Sequence, residues 1–176
     1  MEGESDAVSG LRFGRFRAIR EIGRGATSCV YLAEDDGGVA QDDAFGAQEW
    51  AANTVKGRRV AIKVVDFTDD RSKLSRRFRK LFATEAAVTA QFDHPNIAKV
   101  HDWRVEEHRA YLVMELVEGQ GLDQFVTMDK LLPMHRVVGI IFKVAMALDY
   151  AHRRGIVHRD IKPANVMLTK DDEVKL

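Results

Sequence analysis

The stretch His158-Arg159-Asp160-Ile161-Lys162-Pro163-Ala164-Asn165 decides how the rest of the chain is read. It sets an acid, a base and an amide close together, and Pro163 forbids a helix through the middle of them. The segment is therefore expected to be a loop on which Asp160, Lys162 and Asn165 converge on one polar substrate. The chain then runs only as far as Leu176.

Upstream of this loop, the spacing of Val137, Ile140, Ile141, Val144, Ala145, Leu148 and Ala151 predicts the longest helix, from Pro133 to about Arg154. Pro133 suits its first turn and Gly155 its C-terminal cap. Leu122 to Val126 fit a short helix. Met114-Glu115-Leu116-Val117-Glu118-Gly119-Gln120-Gly121 leaves a sheet as a connector ending in glycines. Lys99–Val105 and Arg109–Met114 read as strands joined by Glu106-Glu107-His108.

Asp93-His94-Pro95-Asn96 closes a helix over residues 72–92 by turn chemistry. On that helix Leu74, Phe78, Leu81, Phe82, Val88 and Phe92 recur at helical spacing, and Glu85 falls on the same stripe. A carboxylate on a buried face needs a cationic partner, and Lys63 is the candidate. Arg76, Arg77, Arg79 and Lys80 lie largely elsewhere. They form a solvated face or, in a second reading, a dock for an acidic or phosphorylated segment.

Lys63 sits at the centre of Arg59-Val60-Ala61-Ile62-Lys63-Val64-Val65, a buried-looking strand, so it must point at an anion or leave the core. Further upstream, a strand from Phe16 runs into Ile22-Gly23-Arg24-Gly25-Ala26-Thr27-Ser28-Cys29-Val30-Tyr31-Leu32. This pattern is strand, glycine turn, strand. Such a turn lets backbone N–H groups approach phosphate oxygens, although alone it fits a plain hairpin equally well. By strand alternation Ser28 and Val30 share one face and Cys29 takes the other, as a small strand residue rather than a catalytic thiol. Residues 35–58 differ in texture and read as a surface insertion between two strands. Residues 1–10 are small and acidic and read as a flexible leader.

Composition excludes several classes. With 27 basic and 27 acidic side chains among 176 residues, zero formal charge gives no sign of a nucleic-acid surface. The single cysteine, Cys29, excludes an intramolecular disulfide framework and fits a reducing compartment such as the cytoplasm. No apolar run is long enough for a membrane span, and an anchor beyond Leu176 stays open.

From residue 11 to residue 176 the chain resembles the protein kinases of the eukaryotic (Hanks) type, Ser/Thr branch. The resemblance implies an α+β fold. An antiparallel five-stranded sheet with one long helix spans residues 11–114, a hinge spans 115–121, and the beginning of a mainly helical lobe spans 122–176. Gly23, Gly25, Ser28 and Val30 resemble the Gly-rich loop over the ATP phosphates, with Ser28 where the family has its third glycine. Lys63 resembles the lysine that holds the α- and β-phosphates, and Glu85 its helix partner. Met114 resembles the gatekeeper, Glu115 to Val117 the hinge that binds adenine, Val30 and Ala61 the roof of the adenine slot and Met167 its floor. Asp160 would orient or deprotonate an acceptor hydroxyl, Lys162 would offset charge on the γ-phosphate, and Asn165 would hold Mg2+. Arg159 beside Asp160 marks the subgroup often switched by activation-loop phosphorylation. Thr89, four residues after Glu85, stands where the family usually has an apolar residue.

The family's Asp-Phe-Gly triplet would begin just beyond Leu176. This polypeptide alone is therefore expected to bind nucleotide without transferring phosphate, and to expose an apolar helix face that invites a partner. The implied partner is a protein with a Ser or Thr acceptor. An alternative of another class is a pseudokinase, or regulatory fragment, that uses the nucleotide site as an interaction module.

Overall fold

Alternation along Arg59–Asp66 organises the first of two units. Val60, Ile62 and Val64 are buried on one face of that strand, whereas Lys63 is exposed on the other. The computed structural model describes residue 8 and residues 10–25, 28–37, 56–67 and 73–176. In the first unit, strands β1 (Arg12–Phe13), β2 (Phe16–Arg24), β3 (Ser28–Asp35), β4 (Arg59–Asp66), β5 (Val100–Val105) and β6 (Arg109–Glu115) form one antiparallel sheet in the order β1-β2-β3-β4-β6-β5. Helix α1 (Lys73–Thr89) packs on β5 and β6.

The sheet has six strands rather than the expected five. The addition is β1, which pairs Phe13 with Phe16 through a tight turn in which Gly14 takes φ 57°. A Cβ on Gly14 would also approach the Tyr111 hydroxyl to 3.3 Å. Phe13 is 1 % exposed and meets the rings of Tyr31 and Tyr111 at 5.5 and 5.4 Å, at the heart of a core built with Val60, Ile62 and Val113. Burial there pushes the Tyr111 phenol up to about 12. Val8 is buried in the same core, so the leader read over residues 1–10 is anchored at that position; an apolar side chain beside an open core edge gains by covering it.

Acidic residues at the end of β3 meet arginines from the β1–β2 region. Asp36 pairs with Arg12 at 2.5 Å, Glu34 with Arg17 at 3.5 Å, and the fully buried Asp35 with Arg15 at 3.2 Å. Asp35 N–H donates to Arg58 O and Gly57 N–H donates to Asp35 O, at 2.9 and 2.8 Å. The two ends of the 35–58 insertion are thus joined, and a Cβ on Gly37 would lie 3.1 Å from Lys56 Cβ. Residues 38–55 themselves lie outside the described residues. Replacing residues 38–55 by a short Gly-Ser bridge should leave the thermal midpoint of the chain within the range of a neutral surface change, about 0.5 kcal/mol. Loss of the folded state in that variant would show that the insertion is integral to the sheet.

The second unit comprises residues 92–99 and 117–176. It contains β7 (Gly119–Gly121), a 3-10 turn at Leu122–Phe125, helix α2 (Met134–His152), a 3-10 turn at Pro163–Asn165, β8 (Met167–Thr169) and β9 (Val174–Lys175). The strands form an antiparallel sheet in the order β7-β8-β9. Pro133 stands at the N-cap of α2, and Gly155 takes φ 78° just past its end, as the sequence predicts. On the predicted apolar stripe of α2, Ile140 packs against Val166, Leu168 and Val174 and Ala151 is buried, whereas Ile141 is exposed, as are Val138 and Phe142 off the stripe. Residues 92–99 join this unit through Tyr150, whose hydroxyl accepts Asp93 N–H at 3.0 Å and whose ring meets Phe92 edge-on. The Asn96 amide donates to Val174 O at 2.8 Å, and Leu176 N–H donates to Asn96 O at 2.9 Å.

Close approach explains the glycine of β7. A Cβ on Gly119 would stand 2.5 Å from Leu168 O and 2.9 Å from Leu168 C, so any side chain there drives β7 from β8. Gly119→Ala should cost about 1–3 kcal/mol in chemical unfolding. Gln120→Ala, an exposed neighbour, should leave the midpoint nearly unmoved.

Candidate active site

Register in the first unit brings the residues predicted to meet a nucleotide into rows. Directly opposed residues of a sheet share a face, and Gly23 opposes Val30, Val30 opposes Lys63, and Lys63 opposes Leu112. The next row is Leu32, Ala61 and Met114. Val30, Ala61, Lys63 and Met114 therefore line one face, with Ser28 two residues before Val30 on the same side. Cys29 opposes Val64 and turns to the core face, as alternation predicts. At the hairpin end Gly25 N–H donates to Ser28 O at 2.7 Å, and a Cβ on Gly25 would crowd Ser28 Oγ at 3.3 Å. Glu115 ends β6, and Val117 begins the second unit's share of the connector.

Glu85 departs from its predicted place. It is exposed, Lys63 is exposed, and no ion pair joins them among the described residues. The cause is the side on which α1 packs. Among the described side chains of α1 Ala86 is buried, and Arg79 donates to Glu107 O at 3.1 Å on the β5–β6 turn while its guanidinium stands 6.0 Å from the Phe67 ring. That face brings Arg79, Phe82 and Ala86 toward the sheet; Phe78 meets the Phe67 ring edge-on at 5.6 Å while staying 46 % exposed, and Leu81 and Glu85 are exposed. Thr89, at the end of α1, turns its hydroxyl back to Glu85 O at 2.9 Å. Among the described residues Lys63 is thus a cation without an ion pair, on the face that also carries the hairpin glycine Gly23.

The second unit assembles the loop residues. Lys162 Nζ lies 2.9 Å from Asp160 Oδ2, and the Asn165 amide donates to the same oxygen at 2.9 Å and to Asp160 O at 2.7 Å. The 3-10 turn begun by Pro163 makes this possible, since it turns Asn165 back over Asp160; Asn165 N–H donates to Lys162 O at 3.0 Å. The Lys162 ammonium first, and the Asn165 amide second, hold the Asp160 carboxyl below the usual carboxylate range. Asp160 is consequently ionised at neutral pH and is a weak base, better suited to orienting a hydroxyl than to removing its proton early. Arg159 adopts φ 62°, a left-handed conformation costing roughly 1–3 kcal/mol that non-glycine residues keep where the surroundings fix it.

His158 was absent from the predicted site, yet its Nδ1 accepts Asp160 N–H at 3.3 Å and braces the backbone of the acid. The His-x-Asp spacing is the signal that could have revealed it. Met167 is half-buried on β8. Among the described residues no group of three or more His, Cys, Asp or Glu could hold a metal unaided. No described helix is long and apolar enough to cross a membrane.

Residues 44–176 match the protein kinase domain family. The chain is 35 % identical over 164 residues to the probable serine/threonine-protein kinase PknB of Lactococcus lactis, covering 92 % of this chain and 23 % of that protein. It is 34 % identical over 165 residues to the serine/threonine-protein kinase PrkC of Bacillus subtilis, covering 93 % and 22 %. Among solved structures, the Mycobacterium tuberculosis PknI kinase domain superposes with a TM-score of 0.69 at 32 % identity, covering 96 % of this chain and 60 % of that one. The chain spans about a quarter of the curated relatives it matches. With the strand lysine Lys63 and the Asp160–Lys162–Asn165 loop in order within the matched residues 44–176, the chain belongs to the protein kinase domain family.

Proposed function

We propose that this chain supplies the nucleotide-binding and acceptor-orienting residues of a Ser/Thr protein kinase, which moves the γ-phosphate of ATP to a serine or threonine hydroxyl of a protein. The observation that carries the reading is the mutual bonding of Asp160, Lys162 and Asn165. Gly23, Gly25, Ser28 and Val30 cover the phosphates, and Lys63 meets the α- and β-phosphates. Ala61, Met114, Glu115, Val117 and Met167 take the adenine. Asp160 orients the acceptor hydroxyl while Lys162 offsets charge on the phosphate in transit.

Magnesium fits this donor set. The Asn165 nitrogen is engaged by Asp160, which leaves its carbonyl oxygen for a cation. Mg2+ typically binds through few protein oxygens together with substrate phosphates, and when bound it neutralises phosphate charge. In this reading Glu85 is a reserve partner for Lys63, the exposed face of α2 receives further helical structure or a partner, and the lone cysteine suits the cytoplasm. The interaction-module alternative is disfavoured because Lys63, Asp160 and Asn165 are all present.

The test is transfer of labelled γ-phosphate to a Ser/Thr-containing acceptor protein by the intact protein that carries this chain. Asp160→Asn should reduce transfer by at least about 100-fold while keeping ATP binding. Undiminished transfer by that variant would remove Asp160 from its role.

A further inference from the structure

Two glycines and a serine shape the end of the β2–β3 hairpin. Gly23 opposes Val30, and Gly25 N–H donates to Ser28 O across the hairpin, so these four residues share the face that carries Lys63. The glycines present no side chain there and Val30 presents an apolar one, which leaves Ser28 as the polar side chain of the four. Ser28 is half-buried and its hydroxyl has no hydrogen-bond partner among the described residues. The hydroxyl stands over Gly25: a Cβ on that glycine would lie 3.3 Å from Ser28 Oγ. The rows of the sheet fix where this donor lies along a ligand. Ala61 and Met114 oppose each other in one row, Val30, Lys63 and Leu112 form the next, and Ser28, Val65 and Ala110 the one after. Successive rows on one face are about 7 Å apart, two residues of strand. With adenine against the first row and the α- and β-phosphates at the second, the third row meets the end of a triphosphate.

We propose that the Ser28 hydroxyl donates a hydrogen bond to the terminal phosphate of ATP and so favours the triphosphate over the diphosphate. The inference rests on the nucleotide reading and deepens it. Where the Gly-rich loop that this hairpin resembles has a third glycine, with only backbone to offer, this chain has a side-chain donor. A hydroxyl that donates to an ionised phosphate oxygen makes a stronger bond than one between neutral groups. The missing side chain at Gly25 keeps the approach to Oγ open on that side. Ser28 and Lys63 are diagonal neighbours on adjacent strands, within reach of a long side chain, so hydroxyl and ammonium can hold adjoining phosphates.

The test is calorimetric titration of the whole chain with ATP and ADP in the presence of Mg2+, for wild type, Ser28→Ala, Ser28→Gly, Ser28→Thr and the double variant S28A/C29S. Ser28→Ala and Ser28→Gly should each weaken ATP binding about tenfold and leave ADP within about twofold of wild type. The retained ADP affinity reports that the hairpin and the site are folded in each variant. Ser28→Thr keeps a hydroxyl in a strand that suits β-branched residues, and should hold ATP within about threefold of wild type. The double variant moves the hydroxyl one residue along, to the face that Cys29 occupies, and should bind ATP as weakly as Ser28→Ala does. ATP affinity unchanged by Ser28→Ala, tighter ATP binding by Ser28→Gly, or equal losses for ATP and ADP would overturn the proposal. Those outcomes leave the nucleotide reading standing, whereas a folded wild-type chain that binds neither nucleotide overturns both.

Discussion

Asp35→Ala should destabilise the first unit by about 3–5 kcal/mol, a shift in thermal midpoint on the order of 10 °C. Asp35 is fully buried, and the side chain of its partner Arg15 is only 6 % exposed. The carboxylate also accepts Gly37 N–H at 2.9 Å, so it serves the hairpin end as well as the cation. Truncating it leaves a guanidinium in the interior without the carboxylate that offset its desolvation. The Phe16 ring, 5.1 Å from the guanidinium carbon, cannot replace a full charge. Replacing both partners by apolar side chains of similar size, Arg15→Met with Asp35→Leu, should bring stability back toward wild type, because the cost lies in an uncompensated charge rather than in a lost attraction. Urea unfolding of the two variants checks this. An unchanged midpoint for Asp35→Ala would show that the pair is hydrated.

The second large effect concerns nucleotide. Lys63→Met should weaken ATP binding about 10- to 100-fold, the loss of a charge-assisted contact to phosphate. Glu85→Gln should change it by no more than about twofold, since an exposed carboxylate without an ion pair to Lys63 contributes little. Calorimetric titration of both variants separates the two residues. Equal losses would mean that ATP draws Glu85 onto Lys63 and that the pair forms in the bound state.

Much of this was legible in the sequence because local rules agreed with one another. Pro163 dictated the loop, Pro133 and Gly155 bounded α2, and alternation placed Ser28 and Val30 opposite Cys29. Hydrophobic periodicity found α1 and placed Phe82 correctly, but not Leu81 and Glu85, which are exposed. Several apolar residues shared a stripe with Glu85, yet the buried position is the small Ala86, where the helix approaches the sheet closely, and Arg79 binds a carbonyl on the β5–β6 turn. Side-chain size at a packing face depends on the distance to the neighbouring strand, which no local spacing encodes. The same holds for Val8, for the pairing of Arg15 with Asp35, and for Tyr150 with Asp93, each a contact between segments distant in the chain.

The central claim is that this chain recognises the phosphates of a nucleotide through the hairpin glycines and Lys63. Its most direct test is calorimetric titration of the chain with ATP, ADP and AMP in the presence of Mg2+. ATP and ADP should bind at least about tenfold more tightly than AMP, in keeping with charge-assisted contacts made to the phosphates beyond the first. Equal affinity for AMP and ATP, or no binding heat from a folded sample, would contradict it.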